Sequence, residues 1–232
     1  VFFLKFEPLN DLELKIYTFL REFLKMHKQF ELASILPICF KEFDQLYSQL
    51  TITEAVNNLI EKRYFLPGTA LSIDDIMNNS VRKSILRYIQ VNPGAYNRLI
   101  RRDLNLGSNE FNWHVGMLEK FKLIKKELFN RNYGYFENHS FMDHEYDLFL
   151  MQNGKVKKIL ETLENQPASI SQLAKKMEMH WSTVSKYVKV LVKRDFLSVI
   201  LQSNNKEKYA INQVLKIKLK KIINGAVFVH FA

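Results

Sequence analysis

Ser182-Thr183-Val184-Ser185-Lys186-Tyr187-Val188-Lys189-Val190-Leu191 decides the fold. Val184, Val188 and Leu191 recur at i, i+4 and i+7, the spacing of one buried helix face. The opposite side then displays Ser182, Thr183, Ser185, Lys186 and Lys189, hydroxyls and amines with no carboxylate among them. Towards the N-terminus, residues 171–177 and 156–163 read as two further helices. Towards the C-terminus, two extended runs flank Ser203-Asn204-Asn205-Lys206, a turn-prone polar stretch that suits a hairpin. The plan is three helices followed by a β-wing, with Lys206 and Lys208 on the wing.

The same plan occurs once more upstream. At an offset of 74, Lys83, Ile85, Leu86, Pro93 and Leu99 fall on Lys157, Ile159, Leu160, Pro167 and Leu173. One residue is dropped near Asp103. At an offset of 73, Leu104, Phe111, Val115, Leu118, Leu123, Ile124 and Phe136 fall on Met177, Val184, Val188, Leu191, Phe196, Leu197 and Tyr209. In this first copy Val81, Ile85, Leu86 and Ile89 mark a helix stopped by Asn92-Pro93-Gly94. A second helix runs from about Ala95 to Leu104. A third, after Gly107, buries Phe111, Val115 and Leu118 and turns Ser108, Asn109, Asn112 and Trp113 outward. Extended runs at 123–129 and 133–136 surround Asn130-Arg131-Asn132, a candidate wing turn. The expected organisation is therefore a helical region over 1–78, a winged helix over 79–139, a second over 150–214 and a basic, apolar tail over 215–232. The fold class is mainly α with small β-wings.

Residues 1–78 are read as an amphipathic helix over 12–26, another within 31–50, and a segment 51–65 whose Val56, Leu59 and Phe65 repeat the spacing of Val115, Leu118 and Ile124. Two readings stand side by side: a diverged third winged helix, or a helical region whose aromatics serve a core or a dimer or partner contact. The tail run Lys216, Lys218, Lys220, Lys221 fits a strand or a helix.

Charge is unevenly placed. The 232 residues carry a net charge of +10. Residues 1–78 hold 8 Lys and Arg against 11 Asp and Glu, and residues 150–232 hold 15 against 5. Concentrating cations in one third favours a polyanion surface, because phosphate neutralisation releases condensed counterions. With 47% hydrophobic residues the chain can bury a core. Its longest apolar stretch, 222–232, is far short of the roughly 18–20 residues of a membrane span. The start Val1-Phe2-Phe3-Leu4 lacks the basic opening of a secretory signal, so a cytoplasmic location is expected. One cysteine, Cys39, leaves no internal disulfide or multi-cysteine metal site.

These residues resemble the archaeal transcriptional regulators with two winged-helix domains, related to MarR- and ArsR-like proteins. In the first copy the resemblance rests on Arg82-Lys83-Ser84-Ile85-Leu86, Asn92-Pro93-Gly94 and Trp113-His114-Val115-Gly116-Met117-Leu118-Glu119-Lys120-Phe121. In the second it rests on 182–191. It implies that the third helix enters the major groove of duplex DNA while the wing touches the neighbouring backbone. Carried over, Ser182, Thr183, Ser185, Lys186 and Lys189, with Lys206 and Lys208 on the wing, are the expected contacts, and Asn109, Asn112 and Arg131 are their counterparts in the first copy. His180 stands where a Ser or Thr helix cap is usual, and bulky Trp181 either packs inward or faces out. Glu110 and Trp113 make the first copy the poorer reader, a dimer or partner contact whose remaining cations are Arg98, Arg101, Arg102 and Arg131.

The expected function is sequence-specific binding of double-stranded DNA by a homodimeric regulator, without cofactor or catalysis. No Gly-rich phosphate loop, nucleophile elbow or HExxH helix occurs. His139 and His144 beside Asp143 and Glu145 read as a polar linker rather than a metal site. The alternative is a protein-interaction scaffold, since tandem winged helices also build subunits of the ESCRT complexes.

Overall fold

The computed structural model describes residues 7–27, 30–138, 144–202 and 206–212. It divides into two compact units. One comprises Val1–Arg87 and Leu104–Lys125, the other Tyr88–Asp103 and Lys126–Ala232. Among the described residues the structure is mostly helical with two small antiparallel sheets. The run 215–232 and the wing-tip residues Ser203, Asn204 and Asn205 lie outside the described residues, as does His139.

The first unit opens with α1 (Asp11–Met26), α2 (Leu32–Phe43) and α3 (Gln49–Glu61). Asn10 caps α1 through a reciprocal box with Glu13. The Glu13 carboxylate is buried and also accepts from Asn58 and from Lys62 at 2.7 Å, which ties α1 to α3. Phe30 stacks on Phe65, and Tyr17 packs edge-on to Tyr64. These N-terminal aromatics are used in the core. The end of α3 is built like the ends of two later helices, α7 (Ser108–Lys120) and α11 (Trp181–Lys193). Arg63, Lys122 and Asp195 each take a left-handed φ, of 64°, 53° and 60°. In each case the next N–H returns to a leucine carbonyl five residues back: Tyr64 to Leu59, Leu123 to Leu118 and Phe196 to Leu191. After α3 the chain makes only a single bridge, Phe65 to Ser72, before α4 (Ile73–Asn78).

α5 (Ser80–Val91) follows, and within the first unit its Arg82 is buried, with the guanidinium 5.4 Å from the ring centroid of Trp113 on α7. His114, the next residue on α7, is buried as well. Burial, and then Arg82, hold its imidazole below the ordinary value of 6.5, against the opposing pull of Glu110. The unfolded chain therefore binds the extra proton first as pH falls through that value, so stability present above it is lost below it. The urea midpoint is expected to drop from neutral to mildly acidic pH, and to drop less in His114→Gln. An equal drop in both proteins would remove His114 as a source.

The second unit holds β1 (Ala95–Tyr96), α6 (Asn97–Leu104), β3 (Asn132–Glu137) and everything after it, while β2 (Ile124–Phe129) begins in the first unit. The sheet order is β1-β3-β2. Ala95 and Tyr96, expected to start a helix, instead pair with Tyr135 and Gly134. Asn92-Pro93-Gly94 forms a tight turn, closed by the Ala95 N–H donating to the Asn92 carbonyl at 3.0 Å with Gly94 at φ +83°, and it delivers Ala95 and Tyr96 into the sheet, so α6 starts two residues late. Asn130 and Arg131 form the β2–β3 turn with φ of 47° and 68°, the two left-handed residues that a tight hairpin of this twist requires.

Residues 145–149, left between the two expected winged helices in the sequence reading, join 150 and 151 in a helix, α8 (Glu145–Met151), whose Leu148 and Leu150 are buried. Phe149 packs on Phe129, with ring centroids 5.0 Å apart. Gly94 has φ +83°, and its N–H donates to Tyr135 at 2.8 Å. A Cβ there would lie 2.5 Å from the backbone nitrogen of Phe149, so only glycine lets α8 come this close.

Three helices then pack as a right-sized core: α9 (Gly154–Leu163), α10 (Ile170–Met177) and α11. Val156, Ile159, Leu173, Val184, Val188 and Leu191 meet there, closed by Phe196 and Tyr209. Each such side chain contributes about 1.5–3 kcal/mol on burial. Lys158, one of the lysines at the start of this segment, donates to the carbonyl of Met177 at the end of α10. The hairpin β4 (Leu197–Leu201) and β5 (Glu207–Ile211) pairs Leu197 with Ile211 and Leu201 with Glu207. A reciprocal bridge between Ala168 and Tyr209 adds a third edge, in the place that β1 takes in the upstream sheet.

Candidate nucleic-acid interface

α11 is held at both ends. His180 caps it: the N–H of Ser182 donates to His180 Nδ1 at 3.3 Å, and the same nitrogen lies 2.7 Å from Ser182 Oγ. An imidazole nitrogen thus does what a Ser or Thr oxygen does at most helix starts. At the far end the left-handed Asp195 and the return bond from Phe196 close the helix.

Between the caps, the buried face of Val184, Val188 and Leu191 fixes the rotation of the helix. Ser182, Lys186 and Lys189 are exposed on the opposite side. Lys193 continues the same stripe and is also exposed. The stretch read from the sequence ended at Leu191 and so missed it, although Lys186, Lys189 and Lys193 follow a spacing of three and four that marks one face. Ser185 does not belong to that stripe. Expected outward, it is 5% exposed. At about 100° per residue it lies on the flank beside Val184 and Val188, where neighbouring elements cover it. Thr183, on the other flank, is half-buried. Trp181 faces out, 52% exposed, at the first turn.

On the wing, Lys206 is exposed just ahead of β5, and Lys208 is half-buried opposite Ile200. In the upstream copy, Asn109 and Asn112 are exposed on α7, in the first unit. Glu110 there accepts from the N–H of Gly107 at 3.3 Å, so its carboxylate caps α7. The acid in the first turn is accounted for by the helix itself, near whose N-terminus a negative charge is favourable.

Arg131 lies elsewhere. It is exposed at the β2–β3 turn and lines a cleft of about 1040 Å³ within the second unit, together with Arg98, Arg101 and Arg102 from α6 and Lys186 and Tyr187 from α11. Tyr96, Tyr135 and Phe149 contribute aromatic surface to it. Among the described residues no Asp or Glu lines it. Arg102 is paired outside with Asp103 at 2.6 Å. Sequence spacing could not join Arg98 to Lys186, because they stand 88 positions apart and meet only through the fold.

Among the described residues no group of three or more His, Cys, Asp or Glu is placed to hold a metal, and no helix is long and apolar enough to cross a membrane. Cys39 is buried, which pushes its thiol up to about 12. It is not a thiolate at neutral pH.

A helix–helix–helix–hairpin segment whose third helix presents a basic, carboxylate-free face defines a winged helix-turn-helix domain. Residues 155–216 match the model of the winged helix-turn-helix family. The chain is also similar to an uncharacterized HTH-type transcriptional regulator of Methanocaldococcus jannaschii, with 27% identity over 165 residues. That match takes in 70% of this chain and 42% of the relative, so the chain spans less than half of the relative's length. The resemblance to winged-helix regulators read from the sequence agrees with both findings.

Proposed function

We propose that the chain is a transcriptional regulator that binds a specific sequence in double-stranded DNA, with α11 as the helix that enters the major groove. One observation carries this: Ser182, Lys186, Lys189 and Lys193 form an exposed stripe on the third helix of a winged helix-turn-helix domain, diametrically opposite its buried face. Exposed Ser182, with half-buried Thr183 beside it, would meet base edges from the first turn. The lysines along the stripe suit phosphates and guanine edges, and Lys206 with Lys208 suits the backbone beside the groove. The similarity to an archaeal HTH-type transcriptional regulator points the same way. A homodimer on a two-fold site is part of the proposal, since paired winged helices commonly read paired half-sites.

The test is fluorescence anisotropy of the full chain on a pool of mixed genomic duplexes over a salt series, followed by selection of the bound fraction. Binding with log affinity falling linearly against log salt, and enrichment of one sequence, is the expected result. Failure to retain any duplex at low salt would discard the reading. Equal affinity for all duplexes would leave a nonspecific binder and discard sequence specificity.

A further inference from the structure

The cleft beside α11 belongs to the same compact unit as the reading helix, and one of its walls is that helix. Lys186 belongs to both the exposed stripe and the cleft. Across from it stand Arg98, Arg101 and Arg102 on α6 and Arg131 on the upstream wing turn. Five cations and, among the described residues, no carboxylate line the cleft, with Arg102 paired to Asp103 outside it, and the positive surface that remains attracts extended anions rather than a zwitterion or a neutral metabolite. Small-molecule pockets are mostly apolar with a few polar groups. This cleft reverses that balance at its rim, where Arg98, Arg102, Arg131 and Lys186 are all exposed. Among the described residues no ion pair engages Arg98, Arg131 or Lys186, so their charge is open to an incoming ligand. The rings of Tyr96 and Tyr187 add hydroxyl donors of the kind that bond phosphate oxygens.

We infer that the sugar-phosphate backbone of the bound duplex runs along this cleft, flanking the major groove that α11 enters, so that the upstream copy touches DNA through α6 and its wing turn rather than through α7. This rests on the DNA reading proposed above and adds to it a second, sequence-independent contact region. The alternative source of the same phosphate chemistry is a free nucleotide.

The test compares three full-length proteins in the salt series: the wild type, the Lys186→Ala/Lys189→Ala variant and the Arg98→Gln/Arg131→Gln variant. Losing two phosphate contacts lowers the slope of log affinity against log salt by about 1.8. Arg98→Gln/Arg131→Gln is expected to show that loss, with an affinity drop on the order of tenfold that is the same on specific and unrelated duplexes. A thermal midpoint matching the wild type certifies the fold, and ethylation interference on the wild type gives a second reading: protected phosphates should extend beyond those lost in the Lys186→Ala/Lys189→Ala variant. If the wild type binds no duplex, both proposals fall together. If it binds and the lysine variant is weakened while the arginine variant keeps its affinity and slope, only the cleft assignment falls. Saturable binding of ATP that the arginine variant loses, with its duplex slope unchanged, would also overturn it.

Discussion

Replacing Lys186 and Lys189 together by alanine is expected to weaken specific duplex binding on the order of 100-fold, about 2.8 kcal/mol at 1.4 kcal/mol per tenfold. The two amines lie on the exposed face of α11, three residues apart, and no carboxylate shares the stripe. Each is expected to neutralise a phosphate or bond a base edge. The salt slope should fall by about 1.8 as well, because two fewer counterions are released. The fold should not notice, since exposed substitutions away from caps and cores stay within about 0.5 kcal/mol. Anisotropy titrations with a urea denaturation control separate the two effects. Unchanged affinity and slope would remove α11 as the DNA-facing helix.

Gly94→Ala is the largest expected effect on stability, a loss of about 4 kcal/mol. Two costs combine. Alanine is strained at φ +83°, and its Cβ would meet the backbone of Phe149 at 2.5–2.8 Å, where no side-chain rotation gives relief. Relief requires α8 to move off the upstream sheet. Gly116→Ala is the contrasting change: it lies inside α7 with nothing within 4 Å of a new Cβ, and it should stabilise by roughly 1 kcal/mol through helix propensity. Urea unfolding of both variants checks the pair. If Gly94→Ala loses less than Gly116→Ala gains, the close seating of α8 is wrong.

Much of the fold was legible because its helices are long enough to show a period. The residues Val184, Val188 and Leu191 mark α11, and Phe111, Val115 and Leu118 mark α7, with bounds close to those observed. The period fails where an element is short. Seven residues of α8 cannot display a hydropathy repeat, and its Tyr146 and Phe149 read as well in a linker as in a helix. Two residues of β1 leave no pattern at all. At the site, the lysines were legible because charge and spacing agree. Ser185 was not, because a hydroxyl on the flank of a helix carries no hydropathy signal in either direction. His180 as a cap and the meeting of Arg98, Arg131 and Lys186 depend on distances that only the folded chain sets.

The seating of α8 on the upstream sheet and against α9 has a consequence for tolerance. Were residues 138–153 a free coil, α6 and α11 would be joined by a tether whose ends wander by roughly 5–6 Å times the square root of its length, and each could find its own stretch of duplex. A helix wedged against Gly94 and Gly134 removes that play. On the DNA reading proposed above, the unit would act as a calliper with one opening. A target lengthened between its two contact regions would also be rotated about its axis, and neither jaw would follow. Selectivity for spacing would then come from the element that seats the two gripping helices rather than from the residues that read the bases.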